Sequence, residues 1–253
     1  MVKKTIEKLL LSFGYGLVRV SKERTYPVEL SEQDVNVLKY VQENRLTMAS
    51  SERLVSTLMA CNYVQRSGID GDFVECGVWR GGNSIVAADV FRRSGCLKKI
   101  WMFDTFSGMT APTALDVSRN GEQAMHKYRS GSRETHNEWC YASLDDVRKQ
   151  FMEASLLSDN VHFVEGDVSV TLKDVKNLPD RISVLRLDTD WYESTKLELE
   201  VLYPRLEPGG VLIVDDYGHW GGARRAVDEY FKNYASPFFQ VIDYAGRAGV
   251  KVL

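Results

Sequence analysis

A chain of 253 residues with 44% hydrophobic and 26% charged residues has the make-up of an ordinary globular protein, long enough to bury a sizeable core. A formal net charge of −3 gives no electrostatic ground for a nucleic-acid partner, and no stretch approaches the ~20 apolar residues of a membrane-spanning helix, so no membrane partner is expected. Cys61, Cys76, Cys96 and Cys140 form neither a C-x-x-C pair nor a zinc-binding spacing, and read as reduced thiols of a cytoplasmic protein.

In chain order, "MVKKTIEKLLLSFGYGLV" sets two lysines before an apolar patch, but Glu7 and Lys8 interrupt it and no small-residue cleavage site follows. The expectation is a short amphipathic helix. Residues 31–44 open with a Ser31-x-x-Asp34 start and carry Val35, Leu38 and Val41 at helical spacing, and residues 50–68 form a second helix stopped by Gly68. Residues 1–68 therefore read as a helical extension, a cap or a contact in a homo-oligomer. From residue 72 short apolar runs take over: "DFVEC", "KIWMFD", "VHFVEGD", "RISVLRLD" and "GVLIVDD", separated by helical stretches at 82–95, 143–157, 169–177 and 191–206, with another helix at 222–235. Strands alternating with helices predict a parallel sheet covered on both faces, here over 69–253. "FFQVID" and "VKVL", joined through "YAGRAG", predict a closing hairpin. Residues 104–142 lack a clear strand, and so long a loop is read as a mobile, functional one.

Ligands of open α/β sheets bind at the carboxyl ends of the strands. The first strand ends "ECGVWRGGNS", with Glu75 followed by Gly77, Gly81 and Gly82 before a helix begins. Glycines there admit a ligand to the backbone or allow tight strand–helix packing, and the pattern is not the G-x-G-x-x-G of nicotinamide enzymes. Asp104 at the second strand end suits ribose hydroxyls or a turn cap. At the third, Asp167 and the Val168 N–H suit an adenine edge. The fourth and fifth strands end in Asp188 and in Asp215–Asp216. Neighbouring strands would bring these carboxylates together, which is costly unless a positive charge neutralises them. An all-oxygen set favours a hard cation, Mg²⁺ first. His126, His136, His162 and His219 are the candidate proton acceptors.

In combination, "RLTMASSERL", "GDFVECGVWRGGNS", "FDTFSGM", "VEGDV" and the long run from "LRLDTDWYEST" through "GGVLIVDDYGHWGGARRAVDEY" resemble the macrocin/mycinamicin O-methyltransferase family (TylF/MycF type). The resemblance implies a Rossmann-like class I methyltransferase fold and an enzyme that uses S-adenosyl-L-methionine and Mg²⁺ to methylate a hydroxyl of a small glycosyl acceptor in antibiotic biosynthesis. It would place Thr47, Met48, Glu75, Cys76, Gly77, Val78, Trp79, Gly81, Asp104, Thr105, Phe106, Ser107, Gly108, Asp167 and Val168 around the methyl donor. Asp188, Asp215 and Asp216 would hold the metal, and His136, in the mid-chain loop, would be the general base. The alternative is a non-catalytic nucleotide-binding or assembly protein that keeps the same fold.

Overall fold

The computed structural model of the protein describes residues 10–14 and 26–252. The expected N-terminal amphipathic helix lies outside these residues except for the turn at 10–14, where the Phe13 N–H donates to the Leu10 carbonyl. Two compact units divide the chain, Met1–Val35 and Asn36–Leu253. In the first, Ser31 and Asp34 exchange the reciprocal bonds of a capping box, each backbone N–H donating to the other's side-chain oxygen at 3.1 Å, and helix α1, Glu32–Glu43, begins there.

The second unit contains α2 (Ser51–Arg66), which packs on the next helix and on the sheet within this one unit, so compactness does not divide the chain at residue 68. The sheet has seven strands: β1 (Asp72–Cys76), β2 (Ile100–Asp104), β3 (Val161–Glu165), β4 (Ile182–Leu187), β5 (Leu206–Val214), β6 (Gln240–Val241) and β7 (Arg247–Val250), in the order β3-β2-β1-β4-β5-β7-β6. The first five are parallel, β7 is antiparallel to β5, and β6 to β7. The mostly parallel sheet with its antiparallel close is the architecture expected from the sequence. The remaining helices are α3 (Gly82–Arg93), α4 (Ala124–Gly131), α5 (Leu144–Glu153), α6 (Val168–Thr171), α7 (Tyr192–Leu202) and α8 (Gly221–Asn233). All six residues of β4 are buried, as a central strand covered by helices on both faces requires.

Four details differ from the sequence reading. The helix read at 169–177 breaks in two, because Asp167 accepts from the Ser169 N–H and starts α6 while Asp174 accepts from the Lys176 N–H and starts a separate 3₁₀ turn, Val175–Asn177. Strand β5 begins at Leu206, before the apolar run. β7 starts inside the segment read as the hairpin connection. The segment 104–142 contains α4, whose sequence "AMHKYRSG" has neither an apolar stripe nor a side-chain cap to announce it. Buried Asp116 pins this segment: it accepts from the Thr113 N–H at 2.6 Å and from the Tyr192 N–H at the start of α7 at 2.8 Å.

The chain reverses its strand order between β1 and β4, where ligand crevices of such sheets open. Gly77, at φ +82°, lets the two strand ends meet. A Cβ there would lie 2.0 Å from the Asp188 carbonyl, so the close approach that this glycine permits is one between two strands.

Candidate active site

Glu75 and Arg186 are register partners on β1 and β4, charged residues buried within largely apolar strands. Arg186 is fully buried and donates to Glu75 at 2.8 Å, to Asp188 at 2.7 Å and to Asp215. Glu75 also accepts from the Ser84 hydroxyl; burial lifts its carboxyl to about 7, against the pull of Arg186 and Ser84. A second guanidinium, Arg53 of α2, donates to the other oxygen of Asp215 and, at 3.0 Å, to Asp243. Protein cations thus supply part of the positive charge that the acidic strand ends require. Arg186→Met would leave Glu75 buried without a cationic partner and Asp215 with Arg53 alone, and is expected to cost ~3–5 kcal/mol in denaturant unfolding; unchanged stability would contradict this account of the network.

The carboxyls still outnumber the guanidinium groups. Asp188, Asp215 and Asp216 each present an oxygen within 4.8 Å of the others. Burial pushes the Asp188 carboxyl well up despite Arg186, and Asp216 is raised by burial and by neighbouring Asp190 and Asp215. Asp190, in the left-handed region at φ +70°, is pushed up to about 7 by burial, with the neighbouring Asp188 and Asp215 adding to the rise. This donor set fits a hard divalent ion: it is all oxygen, its three carboxyls meet within 4.8 Å, and Arg53 and Arg186 leave part of the local negative charge unbalanced.

One cavity contains these acids together with most of the residues expected around the methyl donor. Thr47, Met48, Gly77, Val78, Trp79, Asp104, Thr105, Gly108, Asp167 and Val168 line it, as do Asp188, Asp215 and Asp216. The other expected residues support its wall from behind. Glu75 is held by Arg186, and the Cys76 carbonyl accepts from the Asp188 N–H. Gly81 abuts Val147 and Phe151, Phe106 packs toward Phe163, and the Ser107 carbonyl accepts from the Asn137 N–H. Asp104 lines the cavity while bracing its loops: it accepts from the N–H groups of Val78 at 2.6 Å, Trp79 at 3.0 Å and Phe106 at 2.8 Å. Both sequence alternatives for this aspartate, turn cap and ligand contact, are compatible with that placement.

The histidines separate clearly. His136 lies outside the cavity lining, its ring 4.4 Å from that of Tyr141, and His126 is exposed on α4. His162 stacks on Trp101. His219 lines the cavity, with Nδ1 3.3 Å from the Tyr244 hydroxyl. Burial holds its pKa below the ordinary value, and Arg53, Arg119 and Lys127 lower it further. Trp191 meets Trp139 and Trp220 edge to face at 5.4 and 5.1 Å; the latter two line the cavity, while Trp191 is buried behind them. Sequence reasoning missed Arg53, Asp190, Lys127, Trp139 and Tyr244 as cavity residues.

Comparison with known proteins adds to this geometry. The family described as Macrocin-O-methyltransferase (TylF) matches residues 29–246. The chain is 38% identical over 189 residues to an 8-demethyl-8-(2,3-dimethoxy-alpha-L-rhamnosyl)-tetracenomycin-C 4'-O-methyltransferase of Streptomyces olivaceus, covering 74% of this chain and 68% of the relative. It is 34% identical over 185 residues to a mycinamicin III 3''-O-methyltransferase of Micromonospora griseorubida, covering 73% and 69%. Among solved structures it resembles the O-methyltransferase NovP, with a TM-score of 0.71 and 31% identity over 82% of this chain and 83% of that one.

Proposed function

The chain belongs to the macrocin-O-methyltransferase family and is an O-methyltransferase, and on that premise we propose that it transfers the methyl group of S-adenosyl-L-methionine to a hydroxyl of a glycosyl acceptor with the help of Mg²⁺. The observation that carries this reading is the convergence of Asp188, Asp215 and Asp216 in the same cavity as the Gly77–Trp79 turn. Its relatives named for sugar methylation support a small glycosyl acceptor. The family placement also favours an enzyme over the non-catalytic alternative.

Thr47, Met48, the Gly77–Trp79 turn, Asp104, Thr105, Gly108, Asp167 and Val168 would hold the donor, which supplies an electrophilic sulfonium methyl when bound. Asp188, Asp215 and Asp216 would hold the divalent ion, whose chemistry is to make a coordinated hydroxyl more acidic. We assign the proton to His219: it stands in the cavity beside the acids and is kept neutral by its surroundings. In the tautomer whose Nδ1–H donates to the Tyr244 hydroxyl oxygen, Nε2 is the nitrogen left to accept. Trp139 and Trp220 provide an apolar wall for a sugar face. Closure of 104–142 would exclude water from the acceptor, with Asp116 as a fixed point. Residues 1–68 would serve as a cap on the cavity, as Arg53 of α2 suggests, or as a contact in a homo-oligomer, and the reduced cysteines fit a cytoplasmic enzyme.

Calorimetry tests the donor half of this reading. The purified chain is expected to bind S-adenosyl-L-methionine, and Asp104→Ala to weaken that binding by ~1–3 kcal/mol, because the braced Val78–Trp79 turn relaxes as its acceptor is lost. Equal affinity for a nicotinamide dinucleotide would overturn the assignment.

A further inference from the structure

Arg53 joins parts of the cavity that lie far apart in the chain. It is the third residue of α2, and its own N–H donates to the Ser50 hydroxyl oxygen that caps that helix. Its Nη1 donates to Asp215 and its Nε to Asp243, in the turn between β6 and β7. The side chains of Arg53 and Asp243 are only 12% and 13% exposed. Asp243 is itself fully engaged: it accepts from the Ser50 hydroxyl at 2.7 Å and from the N–H groups of Ala245 at 2.8 Å and Gly246 at 2.7 Å. The turn rests on the arginine stem, since a Cβ on Gly246 would come within 2.9 Å of Arg53 Cγ and Cδ. Between Asp243 and Ala245 stands Tyr244, which lines the cavity and faces His219.

We propose that Arg53 is a positioning residue that locks the β6–β7 turn, and with it Tyr244, to Asp215, so that one side chain sets both the acceptor-side wall and a cation-binding carboxylate. The inference rests on the reading of Asp188, Asp215 and Asp216 as a cation site. A guanidinium suits this task because its N–H groups leave in different fixed directions and reach two carboxylates on separate elements, whereas an ammonium of equal charge is a single mobile point. The lock also explains why α2, outside the strand–helix alternation, is packed against the sheet at this place.

Arg53→Lys keeps the charge and removes the fork, which separates positioning from a simple field effect. We expect Arg53→Lys to weaken Mn²⁺ binding, followed by electron paramagnetic resonance of the free ion, about tenfold. Amide exchange at Ala245 and Gly246 should accelerate by a similar factor, acceptor KM should rise, and donor affinity should hold. Asp243→Asn should give the same pattern more weakly, and serves if the arginine variant does not fold. Unaltered Mn²⁺ affinity together with unaltered exchange at the turn would overturn the proposal. Failure of the unsubstituted protein to bind Mn²⁺ would instead remove the cation reading, and exchange at the turn would still decide whether Arg53 holds it.

Discussion

His219→Ala is expected to lower turnover by ~10²–10⁴ with little change in donor affinity, the loss typical of removing a positioned general base. The expectation follows from placement: His219 shares the cavity with the three acids, and its imidazole is held neutral by burial and by nearby Arg53, Arg119 and Lys127. A base with a depressed pKa is active above that value, so the acid limb of the rate profile should fall below the ~6.5 of an ordinary histidine. His136→Ala should leave turnover nearly intact, because that ring lies against Tyr141 outside the cavity. The reverse pattern, with turnover lost in His136→Ala and retained in His219→Ala, would return the role to the loop histidine expected from the family resemblance.

Asp188→Asn should have an effect of at least ~10²-fold on methyl transfer, partly recoverable at high Mg²⁺, since it deletes a charge from the cation site while preserving shape. Arg186 makes this substitution informative. It donates to Asp188 but also to Glu75 and Asp215, so the neutral asparagine still has a hydrogen-bonding neighbour and the strand should stay folded. Loss of activity with an unchanged unfolding midpoint would assign Asp188 to chemistry. Loss of both would assign it to the buried network. Retained activity would remove it from the site.

Much of the fold was legible because its signals are local. The capping box at Ser31, the apolar strand runs and the glycines after β1 each act within a few residues, and the structure has the corresponding elements at those places. The acidic strand ends were legible for a different reason: strand adjacency is a property of the fold class, so Asp188 and Asp215–Asp216 could be brought together before any coordinates. The same reasoning applied to β1 and β4 would have paired Glu75 with Arg186, yet Arg186 passed as one polar residue inside an apolar run. Arg53 and Asp243 carry no such signal. Their meeting depends on how α2 and the last hairpin pack, and a surface ion pair would look the same in sequence. The α4 helix was missed because tertiary anchoring at Asp116 and Asn137 stands in for amphipathic periodicity there.

The central claim is that the acidic ends of β4 and β5 form a divalent-cation site used in methyl transfer. It is tested most directly by incubating the protein with isotopically labelled S-adenosyl-L-methionine and a panel of glycosides bearing vicinal hydroxyls, first with EDTA and then with Mg²⁺ restored. Mg²⁺ keeps exchangeable positions beyond its few protein ligands, which favours an acceptor offering two adjacent oxygens. The account predicts no labelled glycoside in chelator and full labelling once Mg²⁺ returns. Undiminished labelling in EDTA would contradict it and leave Asp188, Asp215 and Asp216 as partners of Arg53 and Arg186 alone.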